Sequence, residues 1–226
     1  MYDASRVSTS KSTADVVFEK LHADIVALTI LPGAKISEAD VARQYGVSRQ
    51  PVRDAFRRLH NLDLIEIRPQ RATIIRRFSR PEIENTRFVR LAVELEVLDR
   101  ACAIWDQPRS ENLAKNLSEQ SEALASDDLA SFHALDYGFH ECICDLTGLP
   151  MAFETIKSCK HKIDRLCLLS LSDYENVADV LADHRAIANA LDRRCAADAR
   201  ELIRHHISRL DTTIAEIHRK NAAFFR

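Results

Sequence analysis

Gly46-Val47-Ser48-Arg49-Gln50-Pro51-Val52-Arg53-Asp54-Ala55-Phe56 reads as a tight turn, a cap and a short amphipathic helix. Glycine accepts the positive φ that such a turn demands. Ser48 is placed to cap the helix, and Pro51 falls in its first turn, where a missing N–H costs little. Val52, Phe56 and Leu59 share one face, while Arg49 and Arg53, four apart, stack on another with Gln50 beside them. An apolar side that seats the helix and a basic, amide-bearing side left outward is the pattern of a helix carried into the major groove.

The flanking chain completes the module. Residues 14–30 put Val17, Leu21, Ile25 and Leu28 on one helical face, and Leu31-Pro32-Gly33 ends that helix. Ser37 is placed to cap a second helix holding Val41, Ala42 and Tyr45. Leu64–Arg68 and Thr73–Arg77 read as two strands around Pro69-Gln70-Arg71-Ala72. Three helices and a β-ribbon predict a winged helix-turn-helix over residues 14–78, with residues 1–13 as a flexible tail. From Ser79 the pattern is helical almost throughout. Helices fit 79–105, 109–125, 127–146, 150–171, 174–192 and 195–221, with a break at Ser172-Asp173 among others. The expected class is mainly α: a winged head, then a helical bundle over 79–226 for effector and metal binding and dimerisation.

Composition narrows the function classes. Of 226 residues, 46% are hydrophobic and 29% charged, an ordinary globular balance. No run approaches the roughly 18 apolar residues of a membrane span, and Met1–Thr13 lacks a signal peptide's apolar stretch. The six cysteines (Cys102, Cys142, Cys144, Cys159, Cys167, Cys195) show no zinc spacing and read as reduced thiols of a cytoplasmic protein. Net charge is −2, yet Arg43–Arg77 holds nine arginines against three acids, a local +6 that leaves −8 for the remainder. A basic head on an acidic body suits a chain of which only the head meets phosphate.

Two constellations carry chemistry. In the head, Arg49 and Arg53 suit the O6 and N7 acceptors of guanine, and Gln50 the N6 and N7 edge of adenine. Arg43, Arg57 and Arg58 are expected on phosphates. In the body, Asp136 and His140 are four apart on one helix face, and His184 and His206 lie on two other predicted helices. One carboxylate and three imidazoles suit a divalent transition ion, Zn²⁺ or Ni²⁺, with positions left for water or a ligand oxygen. His133, one turn before Asp136, and His205, beside His206, are competing ligands on spacing alone.

Tyr45-Gly46-Val47-Ser48-Arg49 through Leu59 resembles the DNA-binding half of the GntR superfamily. Phe78-Ser79, Glu82-Ile83 and Arg90-Leu91-Ala92-Val93-Glu94 resemble the opening helix of its FCD group. So do Asp136-x3-His140, His184-Arg185-Ala186-Ile187 and His206-Ile207 at later positions. The resemblance implies that Asp136, His140, His184 and His206 hold the metal, favouring His206 over its neighbour. One head reads one half-site, so a homodimer on palindromic double-stranded operator DNA is expected, with Ser48 and, by its charge, the wing residue Arg71 joining the DNA contacts. A small carboxylic or sugar acid is the implied effector, paired by Arg90, with Glu94 orienting that arginine. Three positions depart from the family pattern: Asp63 and Ala72 stand where it has glycine, and Leu149 where it has asparagine.

A metal-dependent enzyme is the alternative from another class, since three histidines and an aspartate can activate water. No second acid or base is spaced near these ligands, no nucleophile motif appears, and no paired Glu-x2-His motif accompanies them. An architectural DNA protein conflicts with the acidic body. The expected function is a metabolite-responsive transcriptional regulator, most often a repressor.

Overall fold

The computed structural model describes residues 11–68, 71–171, 174–220 and 222–226. Residues 1–10, the ribbon-turn residues Pro69 and Gln70, the break at Ser172-Asp173 and the Cys167 thiol lie outside what is described. The chain divides into two compact units, 1–78 and 79–226.

In the first unit α1 (Thr13–Val26), α2 (Glu38–Tyr45) and α3 (Arg49–Asn61) enclose a small core. Val17, Leu21 and Ile25 of α1 pack with Val41, Val52, Phe56 and Leu59, all buried. α1 starts at a reciprocal cap: Ser12 accepts from the Asp15 N–H, and Asp15 accepts from the Ser12 N–H. It stops four residues earlier than the apolar pattern predicts. Leu28 leaves the helix at φ 58°, ahead of β-branched Thr29 and Ile30 and of Pro32.

Ser37 caps α2 by accepting from Asp40 N–H at 3.1 Å, and Gly46 closes it in the left-handed region at φ 65°. Ser48 holds the extended cap conformation before α3, yet its side chain makes no capping hydrogen bond, a correction to the predicted cap. The ribbon is shorter than predicted: β2 (Ile65–Glu66) and β3 (Thr73–Ile75). A third strand, β1 (Lys35–Ile36), also joins β3, giving an antiparallel order β1-β3-β2 with Ile36 opposite Thr73 and Ile65 opposite Ile75.

The second unit is helical among its described residues. α4 (Arg80–Ile104), α5 (Gln107–Ala125), α6 (Leu129–Leu146), α7 (Pro150–Leu171), α8 (Tyr174–Asp192) and α9 (Ala196–Lys220) follow the predicted segments closely, and a short 3-10 turn adds Ala222–Phe224. α4 packs on α7 and α9, and α5 packs on α6 and α8. Trp105, Leu113, Phe139, Ile156, Ile187 and Ile203 are core residues. Trp105 donates its indole N–H to Asp192 at 3.0 Å, so a bulky group is buried with its polar atom satisfied. None of the described cysteines forms a disulfide among the described residues. Among the described residues no helix is long and apolar enough to cross a membrane.

Candidate functional site

The helical unit brings four distant residues together. Asp136 and His140 project from α6, one turn apart, His184 from α8 and His206 from α9. Each offers a ligand atom, and these atoms lie within 4.8 Å of one another. All four are buried, His184 completely. Asp136 Oδ1 lies 3.4 Å from His184 Nε2 and 3.9 Å from His140 Nε2. His133 sits elsewhere, its ring 5.3 Å from that of Tyr137, and His205 is exposed.

Two of the three histidines are hydrogen-bonded from behind, while buried His206 Nδ1 makes no hydrogen bond. His140 Nδ1 is 2.8 Å from Glu94 Oε2; because a carboxylate only accepts, Nδ1 carries the proton and Nε2 keeps its lone pair. His184 Nδ1 is 2.8 Å from the Gln120 side-chain oxygen on α5, which imposes the same tautomer. His206 Nδ1 lies 3.4 Å from Asp183 Oδ2. Outer partners on the far ring nitrogen are what orient metal-binding imidazoles. His184 Nε2 then faces the cluster, buried, without a hydrogen-bond partner. An orphaned acceptor there fits an ion that would take it up.

Electrostatics suit the same chemistry. Burial drives His140 from 6.5 down to about 4 although Glu94 pulls the other way, and burial with His206 nearby drives His184 well below its usual value. Both rings are therefore neutral near pH 7. Burial alone would raise Asp136, but Lys160 and the neighbouring imidazoles hold it well below the usual carboxylate range. Asp183 likewise falls to about 2, with His206 and Arg209 outweighing its burial.

Arg90, the predicted effector residue, is buried beside this cluster. Its Nε donates to Glu94 Oε1 at 2.7 Å, and its Nη2 lies 3.0 Å from His140 Nε2. Glu94 thus orients the arginine and holds a histidine at once. Sequence reasoning missed Gln120, Asp183 and Lys160. Lys160 on α7 pairs with Asp136 Oδ2.

In the first unit, the predicted DNA residues line the exposed side of α3 and its surroundings. Arg43, Ser48, Arg49, Gln50, Arg53, Arg58 and Arg71 are all exposed. Among the described residues Arg49 has no hydrogen-bond or ion-pair partner. Gln50 donates to Asp54 at 3.1 Å, Arg53 pairs with Glu38 at 3.1 Å, and Arg43 lies 3.3 Å from Asp40. Arg58 is turned back onto α1, 2.7 Å from Asp15 and 3.8 Å above the Phe18 ring. That contact gives Arg58 a structural role inside the head. Asp63 adopts φ 58°, the conformation a glycine would provide, whereas Ala72 does not.

A winged three-helix head and a six-helix body define a class of bacterial regulator, and comparison agrees. Residues 13–75 match "Bacterial regulatory proteins, gntR family", and residues 86–209 match the FCD domain. The chain is 31% identical over 209 residues to the "HTH-type transcriptional repressor RspR" of Escherichia coli (strain K12), covering 92% of each chain. It is 27% identical over 199 residues to the "Gluconate operon transcriptional repressor" of Bacillus subtilis (strain 168), covering 84% of this chain and 80% of that one. Among solved structures, E. coli McbR/YncC superposes with a TM-score of 0.67 at 17% identity over 93% of this chain and 99% of that one, a likeness of fold. The chain belongs to the gntR family of transcriptional regulators and carries an FCD domain. It is a DNA-binding regulator and not an enzyme.

Proposed function

We propose that this regulator is a repressor whose operator affinity is set by a small organic acid bound beside a metal ion in the helical unit. The observation that carries the reading is the buried Asp136, His140, His184 and His206 cluster with its orphaned His184 Nε2. Asp136 and the three Nε2 atoms would hold Zn²⁺ or Ni²⁺, which supplies a Lewis-acidic coordination position for a carboxylate oxygen. Arg90, already aimed at His140, would pair with the acid through its planar fork. A relative named for a gluconate operon keeps sugar acids among the candidate classes.

The head would read DNA through Arg49, Gln50 and Arg53, with Arg43, Ser48, Arg58 and Arg71 near the backbone. One head reads one half-site, so a homodimer on a palindromic operator is the expected assembly. Exposed Phe88 and Met151, 74% and 78% accessible, favour a buried face in such a dimer. Acid binding releases DNA only by favouring one arrangement of the helices over another.

Gel shifts on operator DNA, with Zn²⁺ and with and without an acid panel, test the coupling. Affinity that falls with one class of acid supports it, and affinity unchanged by every acid at saturation rejects it. His184→Ala is expected to lose bound metal by elemental analysis and to lower the melting temperature of the metal-loaded protein. Full metal content in that variant would remove His184 from the ligand set.

A further inference from the structure

Two cations are buried at the centre, where a cation-binding site would ordinarily exclude them. Lys160 is only 3% exposed, with its ammonium on Asp136 Oδ2 and 4.3 Å from the centre of the Tyr137 ring. The other carboxylate oxygen, Oδ1, is the one facing His184 and His140. Lys160 therefore claims one oxygen of Asp136 and leaves the other to the imidazole side. Arg90 is shared between Glu94 and His140 Nε2.

Charge is balanced at this centre among the described residues. Glu94 and Asp136 are matched by Arg90 and Lys160, while Asp183 is paired with Arg209, whose Nη2 donates to it at 2.9 Å and whose Nη1 also reaches the exposed Asp179. The three imidazoles add no charge when they act as ligands. A divalent ion placed among Asp136 and the histidines would leave two positive charges uncompensated in a buried space, which is strongly unfavourable. It would also take the His140 lone pair from Arg90 Nη2, ending that one contact of the guanidinium.

We propose that Lys160 is a positioning residue that balances the centre on its own, so that a divalent ion binds tightly only together with a doubly negative acid, a small dicarboxylate. One carboxylate of that acid meets the Arg90 Nη2 that had faced His140. Its second charge offsets what Lys160 contributes. The proposal rests on the metal-linked regulation above and narrows its effector class.

The test uses the full chain, stripped of metal, with Zn²⁺ affinity measured by competition against a fluorescent chelator. Zn²⁺ is added alone, with three- to six-carbon monocarboxylates, and with dicarboxylates of equal length at matched ionic strength. The dicarboxylates are expected to tighten Zn²⁺ binding by about tenfold or more, and the monocarboxylates far less. Free dicarboxylates chelate Zn²⁺ in solution and would weaken its apparent binding, so tightening has the opposite sign from that artefact. Lys160→Met keeps the chain length and removes the charge. It is expected to bind Zn²⁺ more tightly without any acid and to shift the preference toward monocarboxylates, a change that a merely structural lysine would not produce.

Equal tightening by both acid classes in the native protein overturns the inference, as does an unchanged charge preference in a folded Lys160→Met. If that variant does not fold by circular dichroism, the native comparison decides alone. Zn²⁺ uptake indifferent to acid charge sinks this inference and leaves the proposed function standing. No Zn²⁺ uptake at all sinks both.

Discussion

Arg49 is the one base-reading candidate whose side chain is uncommitted among the described residues, and it stands at the first position of α3. Arg49→Ala is expected to relax base preference by about tenfold or more at one operator position, since a bidentate arginine contact discriminates by roughly 1–3 kcal/mol. Binding measured across single-base operator variants checks this, and a uniform loss over all variants would contradict it. Arg58 behaves differently because Asp15 and Phe18 hold it. Arg58→Ala is expected to lower the melting temperature of the free protein, and a double-mutant cycle with Asp15→Ala should show favourable coupling that shrinks with salt. Asp63 shows how a departure from the family pattern is absorbed. Its left-handed backbone costs about 1–2 kcal/mol, but its carboxylate lies 3.5 Å from Arg76. Asp63→Gly would relieve the strain while losing that pair and adding unfolded-state freedom, so its net effect on stability is expected to stay within about 1 kcal/mol.

Helices were the most legible elements, because their apolar spacing and their capping residues agree. β1 was not legible: two residues, Lys35 and Ile36, form a strand only because β3 offers them an edge. Within the helices, the ligand candidates could be picked out by residue type, and their supports could not. Gln120 and Lys160 sit in stretches such as Lys157-Ser158-Cys159-Lys160-His161 that read as solvated helix surface. Only the packing of α5 on α8 and of α7 against the bundle turns them inward. Leu149 was similarly opaque; it packs on the apolar core where the family pattern has asparagine. The support by α5 is testable. Gln120→Leu removes the acceptor from His184 Nδ1 and is expected to weaken metal binding about 10- to 100-fold while the helices remain intact. Circular dichroism and Zn²⁺ competition together check that separation of effects.

For the whole protein, pH should act on the helical unit before the head. His140 is held neutral when folded, falling from 6.5 to about 4, whereas the unfolded chain protonates it at its ordinary value. Its contribution is present above about pH 6.5 and lost as pH falls toward 4, because the unfolded state then binds the extra proton. Metal-free protein is therefore expected to lose thermal stability progressively across that window, and a flat melting temperature there would refute the neutral-imidazole assignment. The head depends on a small apolar core instead. Phe56 is 1% exposed, and Phe56→Ala is expected to cost about 3–5 kcal/mol, a large part of a small domain's stability. Loss of all DNA binding with the helical unit still folded is the expected readout.

Glu38 and Asp54 give the head a further property. Their carboxylates hold Arg53 and Gln50 in the free protein. Any DNA that recruits these side chains must first win them from a resident acid. If Arg53 and Gln50 read bases, random duplex, offering them only phosphates, would meet that rivalry everywhere, whereas an operator would add a matching base edge. The two acids would then act as decoys that disfavour non-specific DNA. Removing one, as in Glu38→Gln, should raise affinity for random DNA more than affinity for the operator.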